Sequence, residues 1–256
     1  MGDFSWYAMT LPYLEAQPVY SQFDFKVGIL HNNNNEPRTT PVVGFACPSD
    51  LGRMTLQETA SATARHKRLN GNYVVNWGPC NFAQWYGSSL MTPAGVNGRL
   101  SGPFTFTLAY DFSYIQDGTS NTLLMSEVLI PTDSPNCQTR IGDLTCVTNG
   151  QCFTTWYTPN SKAPLGDLVH KCPDAQYQGN MIGTCGYGAA GIGSVTNTDR
   201  GYTILEGNGQ IVARSMHRDG VNVVMCDGAV RFVSDAIAPY VWSCTATAQG
   251  GETTSF

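Results

Sequence analysis

The chain has 256 residues, 42% of them hydrophobic, which suits a globular protein with a large core and excludes a disordered one. Charged residues are only 13%, about half the usual ~25%. A formal net charge of −5 and scattered lysines (Lys26, Lys67, Lys162, Lys171) exclude the basic stripe that nucleic acid or an anionic membrane requires.

Phe4 to Phe23 carries Trp6, Met9, Tyr13, Leu14, Tyr20 and Phe23 at mostly helical intervals, and Pro12 and Pro18 divide it into short helical turns. His31 to Glu36, with its four asparagines, reads as a solvated loop tip. PVVGFACPSD reads as a short β-rich run closed by Cys47-Pro48-Ser49-Asp50, where Pro48 cannot join a ladder and Ser49 and Asp50 favour a turn. The following LGRMTLQETASATARHKRLN reads as a short helix or an exposed loop. Strands are predicted at Gly71–Trp77, at Phe104–Tyr110 and, after the Asp117-Gly118 turn, through TSNTLLMSEVLI, the last as a central strand.

From 132 to 200 the texture changes to Gly, Pro, Asn and Thr with little periodicity, and five cysteines fall there. This stretch is expected to be a disulfide-stapled insertion of poor core-forming capacity between two parts of one domain, residues 1–131 and 201–256. Strand-like sequence resumes at Thr203. VNVVMCDGAVRFV then reads as a hairpin turning at Asp227-Gly228, since a two-residue type I′ loop needs positive φ at both positions. That register pairs Val223 with Phe232 and gathers Val221, Val223, Met225, Val230 and Phe232 on one apolar core face.

The nine cysteines show no C-x2-C or C-x4-C pair, the tight turn from which zinc sites usually draw ligands. Disulfides have no such spacing rule, so the reading is an extracellular protein with several bridges among Cys47, Cys80, Cys137, Cys146, Cys152, Cys172, Cys185 and Cys244. Nine is odd, and Cys226, on a mixed face of the hairpin, is the candidate for the unpaired thiol. No stretch reaches the ~18 apolar residues of a membrane span, and the opening MGDFSWYAM lacks the charged-then-apolar pattern of a signal peptide.

Six blocks in order carry a resemblance. Ser5-Trp6 with Leu11-Pro12-Tyr13-Leu14-Glu15 is similar to an "SW…LPYLEQ" opening, and Cys47-Pro48-Ser49-Asp50 to "CPSD". Asn72 to Gly78 is similar to "NYVGNxG", and Asp117-Gly118-Thr119-Ser120-Asn121-Thr122 followed by Glu127 to "DGTSNTLLLGE". Ser215 to Phe232, with His217 spaced as H-x9-DG before Asp227-Gly228, is similar to "SxH…DGSVRF", and Gly250-Gly251-Glu252 to "GGE". The chain thus resembles the prepilin-like, type II secretion pseudopilin-like family of planctomycete-type bacteria that carries the DUF1559 domain. The resemblance implies an α+β, pilin-like globular domain with a short N-terminal helix packed on an antiparallel sheet. Family members have a prepilin leader and a long apolar helix immediately before the "SW" block. This sequence shows neither there, so assembly through a helix bundle is not implied for it.

Chemistry is sparse by comparison. His217 and Asp227 invite a general-base reading, but a strand at ~3.3 Å per residue separates a hairpin tip from the far end of its strand. A hydrolase would need His217 beside a nucleophile and an acid, and no such set is evident in sequence. Gly186-Tyr187-Gly188-Ala189-Ala190-Gly191 fits G-x-G-x-x-G but runs into glycine and serine without a helix signal, which reads as a flexible loop. Asp50, Asp117, Glu127, Asp219 and Asp227 offer oxygen ligands for Ca2+ without D-x-D-x-D spacing, and Asx-turns and caps account for most of them. No N-x-S/T sequon occurs, while Ser61-Ala62-Thr63 and Thr245-Ala246-Thr247 offer sites for O-linked sugar.

The expectation is therefore a non-enzymatic extracellular structural subunit that polymerises with copies of itself into a filament or surface fibre, with no resident cofactor. The alternative is a soluble secreted module binding glycan through exposed aromatics such as Trp85-Tyr86 and Trp156-Tyr157.

Overall fold

A computed structural model describes residues 4–29, 31–50, 71–79, 102–104, 110–129, 152–161 and 212–251, and the backbone alone of 56–60, 65–69, 194–197 and 202–205. The first segment follows its prolines. Helix α1 (Trp6–Thr10) runs into a 3-10 turn (Leu11–Leu14), Glu15 takes a left-handed φ of 57°, and α2 (Gln17–Tyr20) follows. Pro12 and Pro18 both stand at the start of their turns, where a missing N–H costs no hydrogen bond. The Tyr7 ring stacks on Phe45 at 3.9 Å, and Leu11, Val42 and Phe45 form a satellite core.

Three local expectations change here. The asparagine run is a 3-10 turn (Asn32–Asn34) leading into α3 (Asn35–Thr39), and Asn34 is fully buried. Its amide accepts from Asp24 N–H and donates to the Asp24 and Gly28 carbonyls, supplying backbone partners that a tight turn lacks. PVVGFACPSD forms a 3-10 turn (Val43–Phe45) and no strand, being punctuated by Pro41, Gly44 and Pro48. The stretch read as a helix or loop is an antiparallel hairpin of β1 (Leu56–Ala60) and β2 (Arg65–Leu69), with the charged sequence RHKRL on its second strand.

The remaining strands are β3 (Tyr73–Asn76), β4 (Leu123–Glu127), β5 (Cys152–Phe153), β6 (Ser194–Asn197), β7 (Tyr202–Leu205), β8 (Gly220–Met225) and β9 (Val230–Ser234). A five-stranded sheet runs β5-β3-β4-β8-β9, so β4 is central as expected, and β6 pairs with β7 separately. Every pairing in the large sheet is antiparallel except β3 with β5. With helix α4 (Pro239–Cys244) added, the class is α+β with a mixed sheet. No helix among the described residues is long and apolar enough to cross a membrane. The predicted strand at Phe104–Tyr110 falls largely on residues outside the described set.

The Asp-Gly hairpin forms, one residue out of the expected register. Val224 pairs with Val230, Val223 with Arg231 and Val221 with Val233. Met225 N–H donates to Ala229 O (2.8 Å), and Gly228 takes φ of 87°, so the turn is a three-residue loop closed by a left-handed glycine. A one-residue slip sends every side chain of β9 to the opposite face. Val221, Val223 and Met225 are buried as expected, but Val230 and Phe232 point outward, 69% and 53% exposed, and Val233 takes the core position. Gly220 suits this register, because a Cβ there would lie 2.2 Å from Val233 O and 2.6 Å from the Phe232 ring.

The main core joins Val74, Leu123, Phe153, Val221, Val223, Met225, Val233 and Trp242, with Trp6 packed against it from the N-terminal segment. Residues 152–161 therefore do not behave as weakly packing loop. Cys152 and Phe153 are buried, Ser243 Oγ donates to Thr155 O, and Trp242 Nε1 donates to Tyr157 O (both 2.9 Å). Aromatic and β-branched residues there (CFTTWY) override the surrounding glycine-rich composition. Trp156 and Tyr157 are themselves buried and cannot serve as an exposed sugar platform; Trp85 and Tyr86 lie outside the described residues.

No disulfide forms among the described residues. Cys47, Cys152 and Cys226 carry free thiols, and Cys244 is buried in α4. The reason is packing: Cys152 is a small apolar core side chain beside Phe153. Cys80, Cys137, Cys146, Cys172 and Cys185 lie outside the described residues. Burial pushes the Cys152 thiol well up, and burial followed by the charge of Asp227 pushes Cys226 up to about 12.

Candidate functional site

Side chains from separate sequence blocks converge where β4 ends. The antiparallel pairing sets Tyr73 opposite Glu127. Asn72, just before β3, organises one side: its Oδ1 accepts Cys47 N–H (2.8 Å), and its Nδ2 donates to Val128 O (2.9 Å) and Asp50 Oδ2 (2.5 Å). Asp50 N–H returns to Cys47 O (3.1 Å), closing the CPSD turn. The CPSD and NYV blocks are thus one unit, held by a fully used buried amide.

The other side comes from the loop before β8. Asn160, held at φ 51°, accepts Ser215 N–H (3.0 Å) and donates to Asp235 Oδ1 (2.8 Å). Ser215 Oγ in turn donates to Gly220 O (2.7 Å) and accepts His217 N–H (3.1 Å). This fixes the backbone of His217 and turns its ring toward β4.

Glu127 is the hub. Its side chain is only 4% exposed, while that of His217 is 28% exposed. Glu127 Oε2 accepts Asn222 N–H at 2.7 Å, and its Oε1 lies 3.1 Å from His217 Nε2. The same Nε2 lies 3.7 Å from Cys47 Sγ. Tyr73 completes the group: burial first, then the charges of Cys47 and Glu127 and a hydrogen bond to the Cys47 side chain, push its phenol up.

A thiol, an imidazole and a carboxylate in contact are the set that a hydrolase would need, and their proximity was not evident in sequence. The geometry is not that of a relay. A general base in a triad uses one ring nitrogen for the nucleophile and the other for the orienting acid. Here Glu127 and Cys47 both meet Nε2, so no proton passes through the ring from one to the other.

The other singled-out residues have structural partners elsewhere. Asp117 accepts Gly250 N–H (2.7 Å), Gly251 N–H (2.8 Å) and the Thr247 hydroxyl (3.1 Å), so the DGTSN block clamps the GG of the last block. Gly118 takes φ of 96°, Asn121 Nδ2 donates to Asp117 O (3.1 Å), and Ser120 lies in the same exposed turn. Asp227 sits at the hairpin tip, where its Oδ1 accepts Ala229 N–H at 2.9 Å. Asp219 has a left-handed φ of 63° and an exposed ion pair with Arg218. The calcium candidates Asp50, Asp117, Glu127 and Asp227 are not gathered together. Among the described residues, the metal-type ligands that do cluster are Cys47, Glu127 and His217.

The family model described as a protein of unknown function, DUF1559, matches residues 1–240, and the chain belongs to that family. No curated protein and no solved structure matches it.

Proposed function

We propose that this member of the DUF1559 family is an extracellular structural subunit, pilin- or pseudopilin-like, that assembles with copies of itself through the outer edge of its sheet. The observation that carries the reading is β9. It is an edge strand of the five-stranded sheet, and it turns Val230 and Phe232 to solvent while Val233 faces the core. Among the described residues no strand lies outside β9, and an edge with exposed apolar side chains invites pairing with another chain. In a polymer the same edge becomes a contact.

Composition supports this reading, because few charges would need desolvation at repeated contacts. A pilin-like domain would carry its N-terminal helical segment on the sheet, and the packing of Trp6 against the main core is compatible with that. An extracellular setting rests on cysteine usage: Cys80, Cys137, Cys146, Cys172 and Cys185 are those left for bridges within or between subunits.

Electron microscopy of natively purified protein tests the reading. Regular fibres with this chain as repeating unit are expected; dispersed monomers at every concentration would contradict it.

A further inference from the structure

We propose that Cys47, Glu127 and His217 bind one thiophilic divalent cation of the zinc class through a thiolate sulfur, a carboxylate oxygen and an imidazole nitrogen. Their ligand atoms all lie within 4.8 Å of one another. Zinc bonds of about 2.3 Å to sulfur, ~2.05 Å to nitrogen and ~2.1 Å to oxygen, set in a tetrahedron, place sulfur ~3.6 Å and oxygen ~3.4 Å from the nitrogen. The separations from the nitrogen here are 3.7 Å and 3.1 Å, each within a few tenths of an ångström of those values, and sulfur and oxygen lie within 4.8 Å of each other.

Hydrogen bonding alone serves this arrangement poorly. One ring nitrogen carries at most one proton, yet Nε2 faces both the Glu127 oxygen and the Cys47 sulfur. A cation on the imidazole lone pair satisfies all three donors together. The ligands are also held in advance. Asn222 holds the Glu127 carboxylate, its N–H donating to Oε2 (2.7 Å) and its Nδ2 to Oε1 (3.3 Å), the oxygen that meets His217; Asn72 fixes the Cys47 backbone, and Ser215 fixes that of His217.

Ligand type selects the metal. Sulfur and imidazole donors disfavour calcium and magnesium, which take oxygen, and favour zinc among the abundant divalent ions. Three protein ligands leave a fourth position, reached by water from the partly exposed side of His217. The ligands stand 90 and 170 residues apart from His217 in sequence, so a bound cation ties the N-terminal segment and the loop before β8 to the central strand. Binding to the folded form alone raises stability. The proposal stands apart from assembly, since a monomer that binds the cation would overturn only the reading above.

Full-length, chelator-stripped, reduced protein titrated with Co2+ provides the test. Expected is an equivalent of Co2+ with a sulfur-to-cobalt charge-transfer band that is lost in Cys47→Ser. His217→Gln and Glu127→Gln should weaken binding by at least about tenfold, the lower end of what losing even an outer-shell partner does. Zn2+ should displace Co2+ and raise the melting temperature, whereas Ca2+ should not. A measurement on the unaltered protein covers variants that fail to fold: Zn2+ should slow alkylation of Cys47, read by peptide mapping, at least about tenfold on the same scale. Equal alkylation rates with and without Zn2+, or a charge-transfer band unchanged in a folded Cys47→Ser protein, would overturn the site.

Discussion

His217 Nε2 and Glu127 Oε1 lie 3.1 Å apart across 90 residues of sequence, joining the loop before the hairpin to the end of the central strand. The pair ties two of the sequence blocks to each other. It also leaves Asp227, the other half of the H-x9-DG spacing, to a separate task at the hairpin tip.

Removing Glu127 should be costly. Glu127→Ala strands Asn222 N–H and the imidazole without their acceptor and should lower stability by about 2–4 kcal/mol, the range for orphaning buried partners of a charged group. Glu127→Gln keeps an acceptor for Asn222 and should cost less. Urea denaturation with an unchanged m-value checks the order; equal, negligible losses for both variants would contradict the hub role.

Buried amides outside this site should matter as much. Asn76 Nδ2 donates to Leu123 O (2.8 Å) and Ala246 O (2.9 Å), while its Oδ1 accepts Gly78 N–H (2.8 Å). Asn76→Ala orphans three backbone groups and should cost about 3 kcal/mol or more, at ~1–3 kcal/mol for each. A melting temperature within a degree of the parent would refute that bookkeeping.

The hairpin register is testable at one glycine. Gly220→Ala drives a methyl into Val233 O and the Phe232 ring and should destabilise by about 1–3 kcal/mol, as overpacking does. In the alternative register Phe232 would lie on the other face, so the double variant Gly220→Ala/Phe232→Ala tests the contact. Partial recovery in the double variant is expected; simple additivity would place the ring elsewhere.

Alkali should unfold the protein early. Cys226 rises from an ordinary 9.0 to about 12, Cys152 rises well above the same value, and burial pushes the phenols of Tyr7 and Tyr73 above 10.0. These groups keep their protons longer when folded, so their contribution is fully present below pH 9 and is lost as pH climbs from 9 toward 12. Melting temperature against pH should fall across that window, and Cys226→Ala should shift the fall to higher pH. A flat profile to pH 12 would contradict the burial of these thiols.

Much of the sheet was legible because it rests on local pattern. Leu123 to Glu127 reads as a central strand from its apolar run after Asp-Gly, and Pro12 and Pro18 mark the helical breaks. The β9 register was not legible, since Asp-Gly serves a two-residue type I′ loop and a three-residue loop with a left-handed glycine equally well. Asn34 misleads for a related reason: four asparagines read as solvated, and only the turn at Asp24–Gly28 makes one of them a buried partner. Cys47, Glu127 and His217 each stood in a recognisable block, but nothing local links residues so far apart. The signal that could have joined them was chemical: three ligand-type side chains, each in a different block.

The exposed β9 edge is where the assembly reading is most open to disproof. Val230→Lys/Phe232→Lys alters side chains that face solvent, so the fold should keep its stability within about 0.5 kcal/mol. The most direct measurement is sedimentation with electron microscopy on the natively purified protein and this double variant, side by side. Regular fibres from the parent and a folded monomer from the variant are the expected result. A parent that stays monomeric, or a variant that forms the same fibres, would contradict a structural subunit assembled through β9.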